Sequence, residues 1–403
     1  MINVIGLGYI GLPTALILAA NGQEIVGTDI NKDTIAQLKN KEIPFEEEGL
    51  SELFQDALEN NIHFQVNYAQ TDCYIITVPT PYLEESRKVD SSYLIAAVRS
   101  VLENCLPETT IIIESTISPG TIDRVVTPLI EQEGLSLDRD IYLVHAPERI
   151  LPGQMISELK NNSRTIGSDN PESAIEVKKI YQSFCKGEII CTTIKIAEMT
   201  KVVENTYRAV NIAFSNELSL LCKEGQMNVY DIIEIANMHP RVNILSPGPG
   251  VGGHCIPVDP WFLVGDYPEQ TELICNALKI NENRPKYVFE KATEIAREHG
   301  LSQTEIGIYG MTYKKNVEDI RESPTIQLLD YLQEKRNDPF IVYDPLVKTK
   351  ILDSQIMNFE EFLKKAKLVI VMVDHQHLLD HKVFLKEKLI LDTRNCLAQS
   401  YIL

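Results

Sequence analysis

The sequence predicts an α/β protein with two Rossmann-like, doubly wound domains joined by a long central helix and a helical middle domain. Three observations carry this. Short apolar stretches alternate with helix-like stretches through the first third of the chain, the same alternation returns after residue 300, and a helical pattern free of Gly and Pro runs between them.

The first strand is INVIGLG, followed by a helix to about Ala20. EIVGTDI, CYIITVP, TIIIES and IYLVHAPE continue the series. Continuous apolar runs of this length suit parallel strands covered on both faces. Asn170 and Pro171 read as N-cap and first residue of a helix to about Cys185, which closes a domain over residues 1–190. From about Ile194 to Lys223 the helical pattern would be ~45 Å long at ~1.5 Å per residue, more than one small domain needs. It reads as a connector that also carries a dimer interface. Its apolar positions Met199, Val202, Val203, Thr206 and Val210 predict burial nearly all round. A shorter helix, a Pro/Gly-rich loop from His239 to Pro260 and a long helix from about Glu269 to His299 complete a middle domain over residues 191–300. Gly300 is a helix stop. EIGIYGM, PFIVYDP, KLVIVMVD and KLILDTR then supply the strands of the last domain, 301–403.

Composition narrows the function. The 403 residues include 38 Lys and Arg against 57 Asp and Glu, a formal charge of −19. That field repels nucleic acid and anionic membrane surfaces, so neither is an expected partner, and an anionic ligand needs a local basic pocket. Eight widely spaced cysteines without a CxxC pair predict reduced thiols and a cytoplasmic location. The apolar stretch Met1–Ala20 lacks a basic start and is broken by Gly6, Gly8, Gly11 and Pro13, so it reads as a βα unit rather than a secretory leader. No run is long and apolar enough to span a bilayer.

Gly6-x-Gly8-x-x-Gly11 follows a strand and opens a helix, with Asp29 at the end of the next strand. Gly6 permits the tight turn, Gly8 lets backbone approach a pyrophosphate, and Gly11 lets helix and strand close up. Tyr9 and Ile10 lie within the same turn. Asp29 would accept from a ribose hydroxyl and repel a 2′-phosphate, which favours NAD; Lys32 leaves NADP slightly open. The second signal is the loop from Pro247 to Phe262, where Cys255 sits among Gly and Pro with Asp259 four residues on. A nucleophilic thiol is the sharper reading and a buried cysteine in a tight turn the blander one. Glu198, Lys201, Asn205 and Arg208 share one face of the long helix, either as oxyanion donors or as a solvated stripe. Two clusters are read as decoys. His375-x-His377-x-x-x-His381 with Asp374 and Asp380 has a metal-site look but follows a strand end. Glu46-Glu47-Glu48 is expected to cap the helix beginning near Gly49.

Taken together, GLGYIGLP, PFEEEGL, ITVPTP, ESTISPGT, APERILPG, Lys201 with Asn205, GGHCIPVD, YKKNVEDIRESP, YDP and DTRN make nearly the whole chain resemble the nucleotide-sugar 6-dehydrogenases, the UDP-glucose/GDP-mannose dehydrogenase family. Glu48 departs from it, since the family often has Pro there. His254 and Val258 resemble the branch acting on N-acetylhexosamines, and Trp261-Phe262 its mannosamine arm. The same chemistry on UDP-N-acetylglucosamine or UDP-glucose is the alternative. Further off are a two-electron β-hydroxyacid dehydrogenase and a non-catalytic sugar-nucleotide-binding module.

The resemblance implies an NAD-dependent four-electron oxidation of a UDP-sugar at C6, supplying a uronic acid for surface polysaccharide. Cys255 would hold the intermediate as a thiohemiacetal and then a thioester. Lys201 and Asn205 would stabilise oxyanions, Lys201 doubling as a base. Asp259 would orient Lys201 or water, and Glu148 would activate water. Thr80 and Thr116 would lie beside the cofactor, with Thr116 also counted among the catalytic residues. The resemblance gives the UDP-sugar to Tyr313 and Lys314, with Arg149, Arg208, Gly252 and His254 completing its site. Arg321 would contact either the UDP or the NAD pyrophosphate. Arg241 would reach the site of a neighbouring subunit, which implies a homodimer. Lys315 reads as surface charge.

Overall fold

A computed structural model describes residues 1–334, 340–398 and 400–403. The chain forms two compact units, one of residues 1–204 with 261–266, the other of residues 205–260 with 267–403.

The first unit is built on eight strands: β1 (Ile2–Ile5), β2 (Ile25–Thr28), β3 (Ile62–Gln65), β4 (Cys73–Ile76), β5 (Thr109–Ile113), β6 (Ile141–His145), β7 (Arg164–Gly167) and β8 (Ile189–Thr192). Their order is β3-β2-β1-β4-β5-β6-β7-β8, and only β7 against β6 is antiparallel. The order reverses between β1 and β4, where Val4 pairs with Gly27 on one side and Ile75 on the other. At such a reversal the connecting helices leave to opposite faces and open a crevice at the strand ends. Helices α1 (Gly11–Ala20), α2 (Lys32–Lys39), α3 (Leu50–Glu59), α4 (Ser92–Asn104), α5 (Thr127–Gln132), α6 (Met155–Asn161) and α7 (Pro171–Gln182) connect the strands. One core joins α1, α3, α6 and α7 to the sheet through Leu12, Leu16, Phe54, Leu159 and Tyr181. The other joins α4 and α5 through Val98, Val101 and Ile130.

Sequence pattern passed over β3, β7 and β8. β3 and β8 show exposed positions among their apolar ones, and β7 carries a buried Arg, so neither has the fully apolar run of the central strands. The glutamate cluster is a second correction. The N-cap of α3 is Gly49, at φ +77° with no side-chain cap. Glu47 instead accepts the N–H groups of Gly153 and Met155 at 2.8 Å each, so it caps α6.

Helix α8 spans Ile194–Glu224, as its pattern predicted, and runs from the first unit into the second. It is not buried all round. Val203, Tyr207, Phe214 and Leu221 fall on one face and are exposed, Tyr207 by 61%. Beyond α9 (Val229–Asn237) and α10 (Asp259–Asp266), the single helix expected over 269–299 is two, α11 (Glu272–Glu282) and α12 (Arg284–Glu298). Pro285 lacks the N–H that would bond to the carbonyl of Asn281, so the ladder breaks there.

The second unit ends in a parallel five-stranded sheet of β9 (Ile306–Tyr309), β10 (Ile341–Tyr343), β11 (Leu368–Val371), β12 (Leu389–Asp392) and β13 (Tyr401–Ile402), in the order β10-β9-β11-β12-β13. α12 and α13 (Pro324–Glu334) pack on one face through Val288, Ile295 and Leu328. α14 (Phe359–Lys365) packs on the other through Phe362. β13 pairs over only two residues and carries too little pattern to be read from sequence.

Candidate active site

The glycine turn lies where the first sheet reverses. Gly6 has φ +88°, a conformation glycine adopts without a Cβ penalty. A Cβ on Gly11 would stand 1.8 Å from the Gly6 carbonyl oxygen and 2.2 Å from Thr77 Oγ1, whereas one on Gly8 would meet nothing within 4 Å. Gly11 thus closes α1 onto the turn, and Gly8 leaves room above it. Asp29 accepts the Leu7 N–H at 2.7 Å and the Asn31 N–H at 2.8 Å, which aims its carboxylate at the turn. Tyr9 stacks on Phe45 with centroids 4.3 Å apart. Thr80 donates to the Thr116 carbonyl at 2.6 Å, joining two residues chosen from distant motifs. A dinucleotide fits this arrangement: a space above Gly8 at a helix N-terminus, and a carboxylate at the next strand end. Ile10 opens α1, and Lys32 is exposed at the start of α2.

Glu148 follows β6 and is buried. One oxygen accepts the Arg149 N–H at 2.6 Å and the other pairs with Arg164. Arg149 donates to Thr165 at 2.8 Å and pairs with Glu204 of α8 at 2.9 Å, which ties this loop to the helix that carries buried Lys201. Glu198 has a different task from its helix-face neighbours: its carboxylate accepts the N–H groups of Gly120 and Ile122.

In the second unit the loop after Pro247 is rooted on α8. Asn216 accepts the Gly248 N–H at 2.9 Å, and buried Arg284 donates to the Gly248 carbonyl at 3.0 Å. Gly253 sits at φ +90°, and a Cβ there would meet the Tyr313 ring at 2.8 Å. A Cβ on Gly252 would lie 2.5 Å from the Glu322 carbonyl oxygen. The Gly253 N–H donates to the Arg321 carbonyl at 3.0 Å. The two glycines just before His254 and Cys255 therefore pack against the strip holding Tyr313 and Arg321. From half-buried Cys255 the chain turns into α10, with the Cys255 carbonyl accepting the Asp259 N–H at 2.8 Å. Asn205 donates to Asp259 at 2.6 Å, and both are buried. One turn earlier on α8 stands Lys201. Desolvation first, and the Arg321 charge second, hold the His254 imidazole below its ordinary pKa.

The Arg321 guanidinium is paired side-on with Asp319 at 2.8 and 3.0 Å. The backbone of Thr312 to Asn316, which carries Tyr313 and Lys314, is wrapped on His375. The His375 Nδ1 accepts the Asn316 N–H at 3.0 Å, and its Nε2 lies 3.2 Å from both Asp344 and Thr312. His377 bonds Tyr309 at 3.1 Å, and His381 bonds the His377 carbonyl at 2.8 Å. Arg208 and Arg241 are exposed on this unit. Lys315, 3.5 Å from Asp374, is surface charge. Trp261 is a core residue of α10 with the Arg87 guanidinium 4.2 Å above its ring, and Phe262 is fully buried.

Sequence reasoning missed Glu114, Arg164, Asp344 and the arginine over Trp261. Each acts through a partner far along the chain, and only the motif ESTISPGT around Glu114 hinted at any of them.

Three family models match the chain in succession. The NAD binding domain of the UDP-glucose/GDP-mannose dehydrogenase family covers residues 1–185, its central domain 195–283 and its UDP binding domain 307–399. The chain belongs to the UDP-glucose/GDP-mannose dehydrogenase family. It is therefore an oxidoreductase with an NAD-binding domain and a UDP-binding domain. A UDP-N-acetyl-D-mannosamine dehydrogenase of Methanococcus maripaludis is 41% identical over 99% of this chain and 93% of its own length. An NDP-N-acetyl-D-galactosaminuronic acid dehydrogenase of Ralstonia solanacearum is 37% identical over 98% of this chain and 95% of its own. Among solved structures, the UDP-N-acetyl-mannosamine dehydrogenase from Staphylococcus aureus superposes with a TM-score of 0.88 at 39% identity, covering 100% of this chain and 96% of that one. Among the described residues, no helix is long and apolar enough to cross a membrane.

Proposed function

We propose that this enzyme oxidises the C6 hydroxyl of UDP-N-acetylmannosamine twice, to the uronate, with Cys255 holding the sugar between the two steps. The observation that carries the reading is the turn from Cys255 to Asp259. It combines a thiol, a buried Asn205–Asp259 hydrogen bond and two glycines pressed on the Tyr313 strip. The family's relatives near 40% identity that are named for the mannosamine sugar support the choice of epimer.

Gly6, Gly8, Tyr9, Ile10, Gly11, Asp29, Thr80 and Thr116 would hold NAD, which when bound supplies the hydride acceptor for both oxidations. The Cys255 thiolate adds to the C6 aldehyde and forms a C–S bond, and the oxygen becomes the oxyanion of a thiohemiacetal. Lys201 and Asn205 donate to that oxyanion, and Asp259 orients them. Loss of the remaining C6 hydrogen as hydride leaves a thioester. Water cleaves it, returning the thiol and releasing the carboxylate with a proton that Glu148 helps take up. Tyr313 and Lys314 hold the UDP moiety together with Arg149, Arg208, Gly252 and His254, and Arg321 serves the UDP or the NAD pyrophosphate. By this reading residues 1–190 bind the cofactor, 191–300 carry the thiol and 301–403 bind the nucleotide.

Eight widely spaced cysteines without a CxxC pair support a reducing compartment, the cytoplasm. The exposed apolar face of α8 supports a homodimer to which Arg241 contributes across the interface. Tyr207→Asp is expected to convert a dimer to a monomer in sedimentation; a wild-type monomer would exclude the dimer.

The deciding experiment is to count NADH released per sugar with purified protein on three UDP-sugars. The expected ratio is two on UDP-N-acetylmannosamine, with little or no turnover of UDP-N-acetylglucosamine and UDP-glucose. A ratio of one overturns the thioester route, and activity confined to UDP-glucose overturns the sugar.

A further inference from the structure

The first unit buries two carboxylates on one guanidinium. Glu114 follows β5, Glu148 follows β6 and Arg164 opens β7. The pairing of His145 with Gly167 is antiparallel, and carrying that register three residues on sets Glu148 opposite Arg164. A parallel β7 would have sent the arginine to the far edge of the sheet. Glu148 pairs with Arg164 Nη2, while Nη1 lies 3.5 Å from Glu114 Oε1. Among the described residues the buried Nη1 makes no hydrogen bond, so what the guanidinium itself offers the second carboxylate is charge. The guanidinium is confined by the Tyr181 ring at 4.6 Å and the Phe184 ring at 5.2 Å.

Four groups face Glu114: Arg164, Glu148, the Tyr181 hydroxyl donating at 2.5 Å and the Thr14 hydroxyl donating at 3.3 Å. Thr14 lies on α1, the helix that begins at the glycine turn. With both carboxylates ionised the cluster carries one uncompensated negative charge in a dry interior, which is costly. A proton on one of them removes that cost. Burial, opposed by Arg164 and reinforced by Glu148, pushes the Glu114 carboxyl up to about 7. Burial and the neighbouring Glu114 charge hold the Tyr181 phenol well above its ordinary range, so it remains a donor.

We infer that Glu114 and Arg164 are positioning residues for Glu148: the protonation of Glu114 decides how much of the shared guanidinium Glu148 keeps, and so how strongly Glu148 acts on water in the hydrolysis step. This rests on the reading of Glu148 given under Proposed function. With Glu114 protonated, Arg164 belongs to Glu148 and keeps its Oε2 engaged. Once Glu114 has ionised, two carboxylates compete for the guanidinium and Glu148 is partly released. Hydrolysis therefore rises with pH, while the first hydride loss, which does not involve Glu148, does not follow the same titration.

The test uses the full chain with NAD and UDP-N-acetylmannosamine from about pH 5.5 to 9, following the first NADH burst by stopped flow and uronate release by quenched flow. In the wild type, uronate release is expected to rise on the order of tenfold through the Glu114 titration. Glu114→Gln, which keeps the shape but cannot ionise, is expected to hold release at the low-pH level with the burst unchanged. Tyr181→Phe removes a hydrogen bond that lowers the Glu114 pKa, so it is expected to move the rise to higher pH. A purely structural role would slow both phases without moving a pH midpoint. A readout without activity accompanies these. The folded chain holds the Glu114 proton and the unfolded chain releases it, so wild-type stability relative to Glu114→Gln is expected to fall between about pH 4.5 and about 7. Wild type making two NADH with the same release profile in Glu114→Gln overturns this role alone. Wild type making no NADH from any UDP-sugar overturns the functional reading, and this role with it.

Discussion

Cys255→Ala is expected to reduce uronate formation on the order of 10⁴-fold while NAD still binds, because in the proposed route the thiol keeps the aldehyde in place for a second oxidation. The proposed cofactor cradle of Gly6, Gly11, Asp29 and Thr80 is held by hydrogen bonds within the first unit, such as Leu7 N–H to Asp29 and Thr80 to the Thr116 carbonyl. Any residual product should be aldehyde, with one NADH per sugar. Cys255→Ser should be nearly as poor in the second step, since an ester-forming alkoxide needs far more activation than a thiolate at neutral pH. NADH absorbance together with mass spectrometry of the sugar nucleotide separates these outcomes. Two NADH per sugar at the wild-type rate from the alanine variant would remove the sulfur from the mechanism. Asn205 and Asp259, which this turn joins at 2.6 Å, would then need another purpose.

The legibility of this protein in its sequence follows the range of the interactions. The glycine turn and the Cys255 loop were readable because the requirement for glycine is local: a positive φ at Gly6 and Gly253, and close approach at Gly11 and Gly252. The central strands and α8 were readable because their patterns are long. What failed was non-local. Glu47 lies three residues before α3 yet caps α6, more than a hundred residues on. The exposed stripe of α8 has the same residue types as a buried one, and only the fold around it tells which face is covered. Arg164 looks like a solvated charge in RTIG and becomes the centre of a buried cluster solely through the antiparallel register of β7. His375 has the spacing of a metal ligand, but Asn316, Thr312 and Asp344 claim both of its ring nitrogens. The sequence supplied the chemistry of each site, and long-range pairing decided which side chains serve it and which hold the servers in place.

Gly11→Ala tests the cofactor cradle, and Gly8→Ala makes the test specific. The added methyl on Gly11 would meet the Gly6 carbonyl oxygen at 1.8 Å and Thr77 Oγ1 at 2.2 Å. Neither atom can yield cheaply. The Thr77 hydroxyl is fixed by donation toward the carbonyls of Ile5 and Gly6 at 2.8 and 2.6 Å, and the Gly6 N–H is bonded to the Thr28 carbonyl at 2.8 Å. Relief therefore requires α1 to move off the sheet, at a cost of about 3 kcal/mol, the upper part of the range for overpacked interiors. Since the N–H groups of the first turn move with the helix, NAD affinity should fall by at least about 100-fold. The Gly8 methyl meets no protein atom, so Gly8→Ala should keep the wild-type melting temperature within about a degree and lose affinity only where the methyl occupies the space intended for the pyrophosphate. Thermal melts and NADH fluorescence titrations on the two variants give four numbers. The expected pattern is stability lost in one variant and affinity lost in both. Wild-type affinity in Gly8→Ala would mean that the cofactor does not pass over this turn, and a wild-type melt in Gly11→Ala would mean that helix and strand are not in the contact on which the cradle depends.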